Sequence, residues 1–229
     1  MAPGWFGFSE ISEGVYVDDK MPPSQQQQVL KTLKQAKERV SVFFGGIEGA
    51  SKVFACSTEE CFVLHGGAGA EKGKAYGKSM LLLSPRGLDA VIASHELTHI
   101  ELCHRVGTMR AWYAIPDWFH EGLAVLVSED PRYTEQAWLQ ATDNGHNVPN
   151  LEDIGKMLGN GNWQSGYGTA SREVGNWYLH AGRTGLEHLI AEVKEGRDFD
   201  FVLNSIASAS PPEFMNGAPS IKPNNTLQN

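Results

Sequence analysis

The chain has 229 residues, 41% of them hydrophobic and 20% charged. That suffices to bury a substantial core within one compact domain, with room for two lobes around a cleft. A formal charge of −8 argues against a nucleic-acid partner, which needs a basic face. No stretch approaches the length of a membrane span, and the N-terminus lacks a charged-then-apolar signal pattern.

Met1-Ala2-Pro3-Gly4 ahead of an aromatic cluster reads as a start placed before a mature domain. The expectation is an exported protein, periplasmic or at the cell surface, whose signal or anchor segment lies outside this chain; a cytoplasmic location is the alternative. Residues 5–20 mix aromatic with acidic side chains and read as an irregular or β-like lead-in, with a short strand at Gly14 to Val17. The spacing of Val29, Leu30, Leu33, Ala36, Lys37 and Val40 predicts a helix from Ser24 to Phe44, ended by Gly45-Gly46.

Cys56 and Cys61 flank a polar segment between two short apolar runs, Lys52 to Ala55 and Phe62 to Leu64. This predicts a hairpin across which the cysteines are either bridged or left as two thiols in a reducing compartment. Gly66 to Ala70 reads as a flexible connection and not as a phosphate loop, because no G-K-[ST] ending follows. Met80 to Leu83 is a strand candidate stopped by Pro85.

From Gly87-Leu88-Asp89 to about Val106 the pattern is helical, with Leu88, Val91, Ile92, Leu97, Ile100 and Leu102 apolar and Gly107 as a stop. This helix contains His95-Glu96-Leu97-Thr98-His99, an H-E-x-x-H motif. Two imidazoles four residues apart lie one above the other on one helix face, where they can hold a single Zn²⁺. Glu96 projects beside them and is the candidate general base. A catalytic zinc takes a third protein ligand and keeps a fourth position open. Glu121, 22 positions after His99, lies on a second helix from Asp117 to Ser128 and is the candidate third ligand. Residues 108–116 read as an aromatic-rich connection. Cys103 reads as a packed small hydrophobe, and His120 as a surface residue or a support behind the ligands. Asp117, Glu129 and Asp130 are candidates to orient a ligating histidine.

A short helix is predicted from Arg132 to Ala141 and a turn at Asp143-Asn144-Gly145. A loop-rich segment punctuated by Gly159-Asn160-Gly161-Asn162 leads to Tyr167. Helices are predicted at Thr169 to Ala181, Gly185 to Glu195 and about Phe199 to Ile206. Residues 1–207 form one domain on this reading, an α+β part over 1–86 and a helical part over 87–207. Residues 208–229, rich in Ser, Pro and Asn, read as a disordered tail.

H-E-L-T-H followed by P-D-W-F-H-E-G-L-A resembles the gluzincin metallopeptidases, the thermolysin-like and aminopeptidase-like clan, and within it the peptidase MA-like domains. The likeness covers roughly residues 75–205. It extends to Gly166-Tyr167-Gly168-Thr169-Ala170, which is similar to the segment whose tyrosine steadies the tetrahedral intermediate in aminopeptidase-like members. The resemblance implies a zincin-like α+β fold, with a small N-terminal lobe carrying a short antiparallel or mixed sheet over the active-site helix and a mainly helical C-terminal lobe. It also implies zinc on His95, His99 and Glu121, and Glu96 as catalytic base. Tyr167 is the implied oxyanion donor, with His146 and His180 as competing candidates. Residues 78–83 would be the edge strand that binds extended substrate. The implied reaction is zinc-dependent hydrolysis of a peptide bond, tilted toward endopeptidase, on a peptide or protein substrate. The alternative is a non-catalytic domain of the same fold that binds an extended peptide or protein partner.

Overall fold

A computed structural model describes residues 7–159 and 163–208. Strands β1 (Phe8–Ser12) and β2 (Val15–Asp18) form a hairpin, and helix α1 (Pro23–Phe44) connects it to β3 (Lys52–Ala55). Helix α2 (Glu59–Leu64) leads to β4 (Gly73–Tyr76) and β5 (Met80–Leu83), which complete a sheet in the order β1-β2-β3-β5-β4. The sheet is mixed: β2, β3 and β5 run parallel, while β1 and β4 are antiparallel to their neighbours. Then come α3 (Ala90–Val106), α4 (Thr108–Ala114), α5 (Asp117–Ser128), α6 (Glu135–Ala141), α7 (Ile154–Gly159), α8 (Trp163–Lys194) and α9 (Phe199–Ser208). The architecture is α+β, with a small five-stranded sheet and a helical C-terminal region. No helix among the described residues is long and apolar enough to cross a membrane.

Period-two alternation splits the sheet's side chains between two cores. Val15, Val17, Val53, Ala55, Leu81 and Leu83 face the main core beneath α1 and α3, while Tyr16 and Leu82 face a small cluster with Phe8, Cys56 and Phe62. Helix α1 ends at Gly45, which takes a left-handed conformation (φ 74°) open to glycine at little cost. Its buried side is Val29, Thr32, Leu33, Ala36, Val40 and Phe44. Leu30 and Lys37, predicted to be buried, are exposed because they fall on the flanks of the packed stripe.

Several expectations are corrected. Phe62 to Leu64 is helical: Thr58 accepts a hydrogen bond from the Cys61 amide (3.2 Å), and Glu59 and Glu60 occupy the first turn, where the helix dipole favours them. The cysteines are nevertheless bridged, from the end of β3 to the first turn of α2, with Cα atoms 5.6 Å apart. Residues 108–114 are the helix α4, and the loop-rich stretch before Tyr167 contains α7, so Tyr167 lies inside α8. The predicted helices Thr169 to Ala181 and Gly185 to Glu195 are the two arms of α8 on either side of Gly182 (φ 60°, ψ −169°). Residues 78–83 are not an edge: β5 lies between β3 and β4, and the edge strand beside α3 is β4. Residues 160–162 and the predicted tail from 209 onward lie outside the described residues.

Candidate metal centre

Helix α3 is anchored at its start by Asp89, whose carboxylate accepts from the Ile92 amide (2.9 Å). It crosses the main core with Ile92, Leu97, Ile100 and Leu102 buried, and carries His95, Glu96 and His99 on the side facing α5 and β4. On α5, Phe119, Leu123 and Val127 pack into the same core. Gly122 permits backbone contact, since a Cβ there would lie 2.4 Å from the Ala170 carbonyl oxygen. That close approach is to α8. Packing α5 between α3 and α8 turns Glu121 onto the two histidines.

The three side chains converge. Glu121 Oε2 lies 3.2 Å from His95 Nε2 and 3.7 Å from His99 Nε2, and the two imidazole rings meet edge to face at 4.9 Å. One donor atom from each of the three falls within 4.8 Å of the others, so the group could hold a metal ion. Cys56, Cys61 and His65 form a second cluster by distance, but both sulfurs are consumed in the disulfide.

Charge balance at the centre follows from burial. Burial drives the His99 pKa down to about 3, against the pull of Glu121, so the ring is neutral with a free lone pair. Burial also opposes ionisation of Glu121, but the adjacent His99 and His95 outweigh it and hold its carboxyl well below the usual range. At His95 burial works against the charge, and the hydrogen bond and charge of Glu121 outweigh it, raising the pKa. Glu96 is pushed up to about 7, chiefly by burial; His95 and a hydrogen bond from the Ala75 amide act against this rise, and Glu121 adds to it. The Ala75 contact ties Glu96 to the edge strand β4. At Gly73 on the same strand a Cβ would stand 2.7 Å from Glu96 Cγ, so glycine leaves the room that Glu96 occupies.

Tyr167 is brought to the cluster: its ring lies 5.9 Å from His95, and the charge of Glu121 acts on its hydroxyl. Burial, then the negative charge of Glu121, raises its pKa far above that of a free phenol, so it is a proton donor at any ordinary pH. His146 and His180 are exposed. Of the three acids considered as supports, Asp117 and Glu129 are exposed. Asp130 is buried, paired with Arg132 (2.5 Å), and its charge acts on His95. Cys103 is buried and free, its thiol pushed up to about 11 by burial.

Two neighbours escaped the sequence reading. Tyr133, in a short 3₁₀ turn after α5, lies 5.3 Å from Tyr167. Trp112 on α4 stacks on His120. His120 is not at the surface: it is 2% exposed, with Nδ1 3.3 Å from His99 Nδ1. Of the two places expected from the sequence, it takes the second, a support behind the ligands. Comparison with models of known protein families, with curated proteins and with solved structures gives no match to the chain.

Proposed function

We propose that this chain is a zinc metallopeptidase of gluzincin type that hydrolyses peptide bonds. The observation that carries the reading is the convergence of His95, His99 and Glu121 with Glu96 held against the edge strand at the same place. The donor set suits the ion: two imidazoles and a carboxylate are the His₂Glu set of catalytic zinc sites. Bonds of about 2.0–2.2 Å in a tetrahedron put donors about 3.3–3.6 Å apart. The 3.2 Å and 3.7 Å separations to Glu121 lie close to that interval. The likeness of H-E-L-T-H and W-F-H-E-G-L-A to the gluzincins adds to the case.

Zinc, when bound, supplies a water acidified toward neutrality and polarises a carbonyl oxygen. The chain's own groups do the rest. Glu96 can take up one proton at its carboxylate and return it to a leaving amine. Tyr167, always protonated, can direct its hydroxyl to an oxygen that gains negative charge. The edge of β4 beside Glu96 offers strand backbone to an extended peptide, which favours peptides over compact substrates.

The test is cleavage of a mixed peptide library by zinc-loaded protein beside Glu96→Ala. Cleavage by the wild type, lost in the variant, is expected. Stoichiometric zinc with no cleavage of any peptide would replace the enzyme reading by a non-catalytic domain that binds extended peptide in the cleft.

A further inference from the structure

His120 and His99 are both buried, and their Nδ1 atoms face each other at 3.3 Å. Two facing nitrogens need one hydrogen between them. Which ring carries it follows from the far side of His120, where Nε2 lies 2.7 Å from the Ala111 carbonyl oxygen. That oxygen belongs to the last turn of α4, which stops at Ala114 as Ile115 turns extended (φ −99°, ψ 124°). Carbonyls in a helix's last turn have no partner within the helix, and His120 supplies one. A carbonyl only accepts, so His120 Nε2 donates.

In a neutral imidazole with hydrogen on Nε2, Nδ1 bears the lone pair. His120 Nδ1 must therefore accept, and His99 Nδ1 must donate. The hydrogen of His99 is thus on Nδ1, and its Nε2 lone pair is turned to the point shared with His95 and Glu121. Trp112 lies parallel to the His120 ring (5.2 Å, 3°) and fixes its plane.

We propose that His120 is a positioning residue that selects the Nδ1–H tautomer of His99, using the end of α4 as its reference, and so keeps His99 Nε2 free as a metal ligand. The carbonyl of Ala111, His120 and His99 form one directed chain, Ala111 O ← H–Nε2 His120 Nδ1 ← H–Nδ1 His99. Partners of this kind behind a ligating histidine typically contribute 10–100-fold in metal affinity. The consequence for affinity rests on the metal-centre reading given above, whereas the tautomer assignment does not.

Long-range ¹H–¹⁵N correlation of the imidazole rings in metal-free protein reads the tautomers directly. Hydrogen on His99 Nδ1 and on His120 Nε2 is expected. In His120→Asn the side-chain oxygen can stand where His120 Nδ1 stood, so His99 keeps its tautomer and zinc affinity, by chelator competition, falls only a few-fold. His120→Leu removes the acceptor: His99 moves toward the Nε2–H form, and affinity falls about 10–100-fold. A His99 Nε2–H tautomer in the wild type would overturn the proposal, as would a folded His120→Leu variant that binds zinc as tightly as the wild type. A wild type that carries the expected tautomers yet takes up no zinc overturns the metal reading and upholds the tautomer assignment.

Discussion

Burying Glu96 costs the fold stability, and that cost depends on pH. Its carboxyl is raised from the ordinary value of 4.5 to about 7 in the metal-free protein. In the unfolded chain it loses its proton near pH 4.5; in the folded chain it holds the proton until about pH 7. Between those values the unfolded state binds fewer protons at this group, so its contribution to stability falls as pH rises. Above pH 7 the loss is complete and constant. A shift of about 2.5 units corresponds to about 3 kcal/mol. Glu96→Gln keeps the shape and removes the titration. Urea unfolding of metal-free wild type and variant from pH 4 to 8 should give equal stabilities at the acid end. The variant should become more stable by about 3 kcal/mol above pH 7, which corresponds to a Tm higher by roughly 6–12 °C for a chain of this size. Taking the difference cancels the titrations of groups that do not act on Glu96; His95 and Glu121, which do, stay within the difference. A difference that stays flat with pH, or one that favours the wild type at pH 8, would refute the burial argument.

Three further outcomes follow from the same geometry. Tyr167→Phe should lower kcat by about 10²-fold or more with little change in KM, the loss typical of one oxyanion donor, while His146→Ala and His180→Ala leave peptide cleavage unchanged. Gly122→Ala places a Cβ 2.4 Å from the Ala170 carbonyl oxygen, against backbone that cannot yield as a side chain would, and thermal unfolding should show a loss of about 1–3 kcal/mol. Replacing Cys56 and Cys61 by serine opens a loop of sequence separation 5, which should cost about 2 kcal/mol in denaturant unfolding. Zinc content should be unchanged in that variant, because the bridge packs in the small core on the sheet face away from α3.

What the sequence discloses here is what short-range chemistry encodes. Asp89, the apolar spacing and Gly107 mark out α3, and i,i+4 geometry alone puts His95 and His99 on one side of it. Pro116 and the amphipathic run after it mark α5 in the same way. Features that depend on partners distant in the chain were not legible. Phe62-Val63-Leu64 differs in kind: the apolar triplet suits strand or helix, and a short-range signal, the Thr58 cap with two acids after it, decides for helix. The residues of β4, Gly-Lys-Ala-Tyr, carry little strand propensity of their own; pairing with β5 makes them a strand and moves the edge from 78–83 to 73–76. His120 reads as a surface residue or a support behind the ligands, and α4, read as a connection, decides for the second by bringing the Ala111 carbonyl and the Trp112 ring to it.

The central claim is that His95, His99 and Glu121 form one metal centre. Its most direct test is the zinc content per chain of protein purified without added metal, wild type beside His99→Ala and Glu121→Ala. The account predicts about one zinc per wild-type chain, lost or sharply reduced in both variants while each retains its fold. A wild type with no stoichiometric zinc, and none taken up on addition, would contradict it.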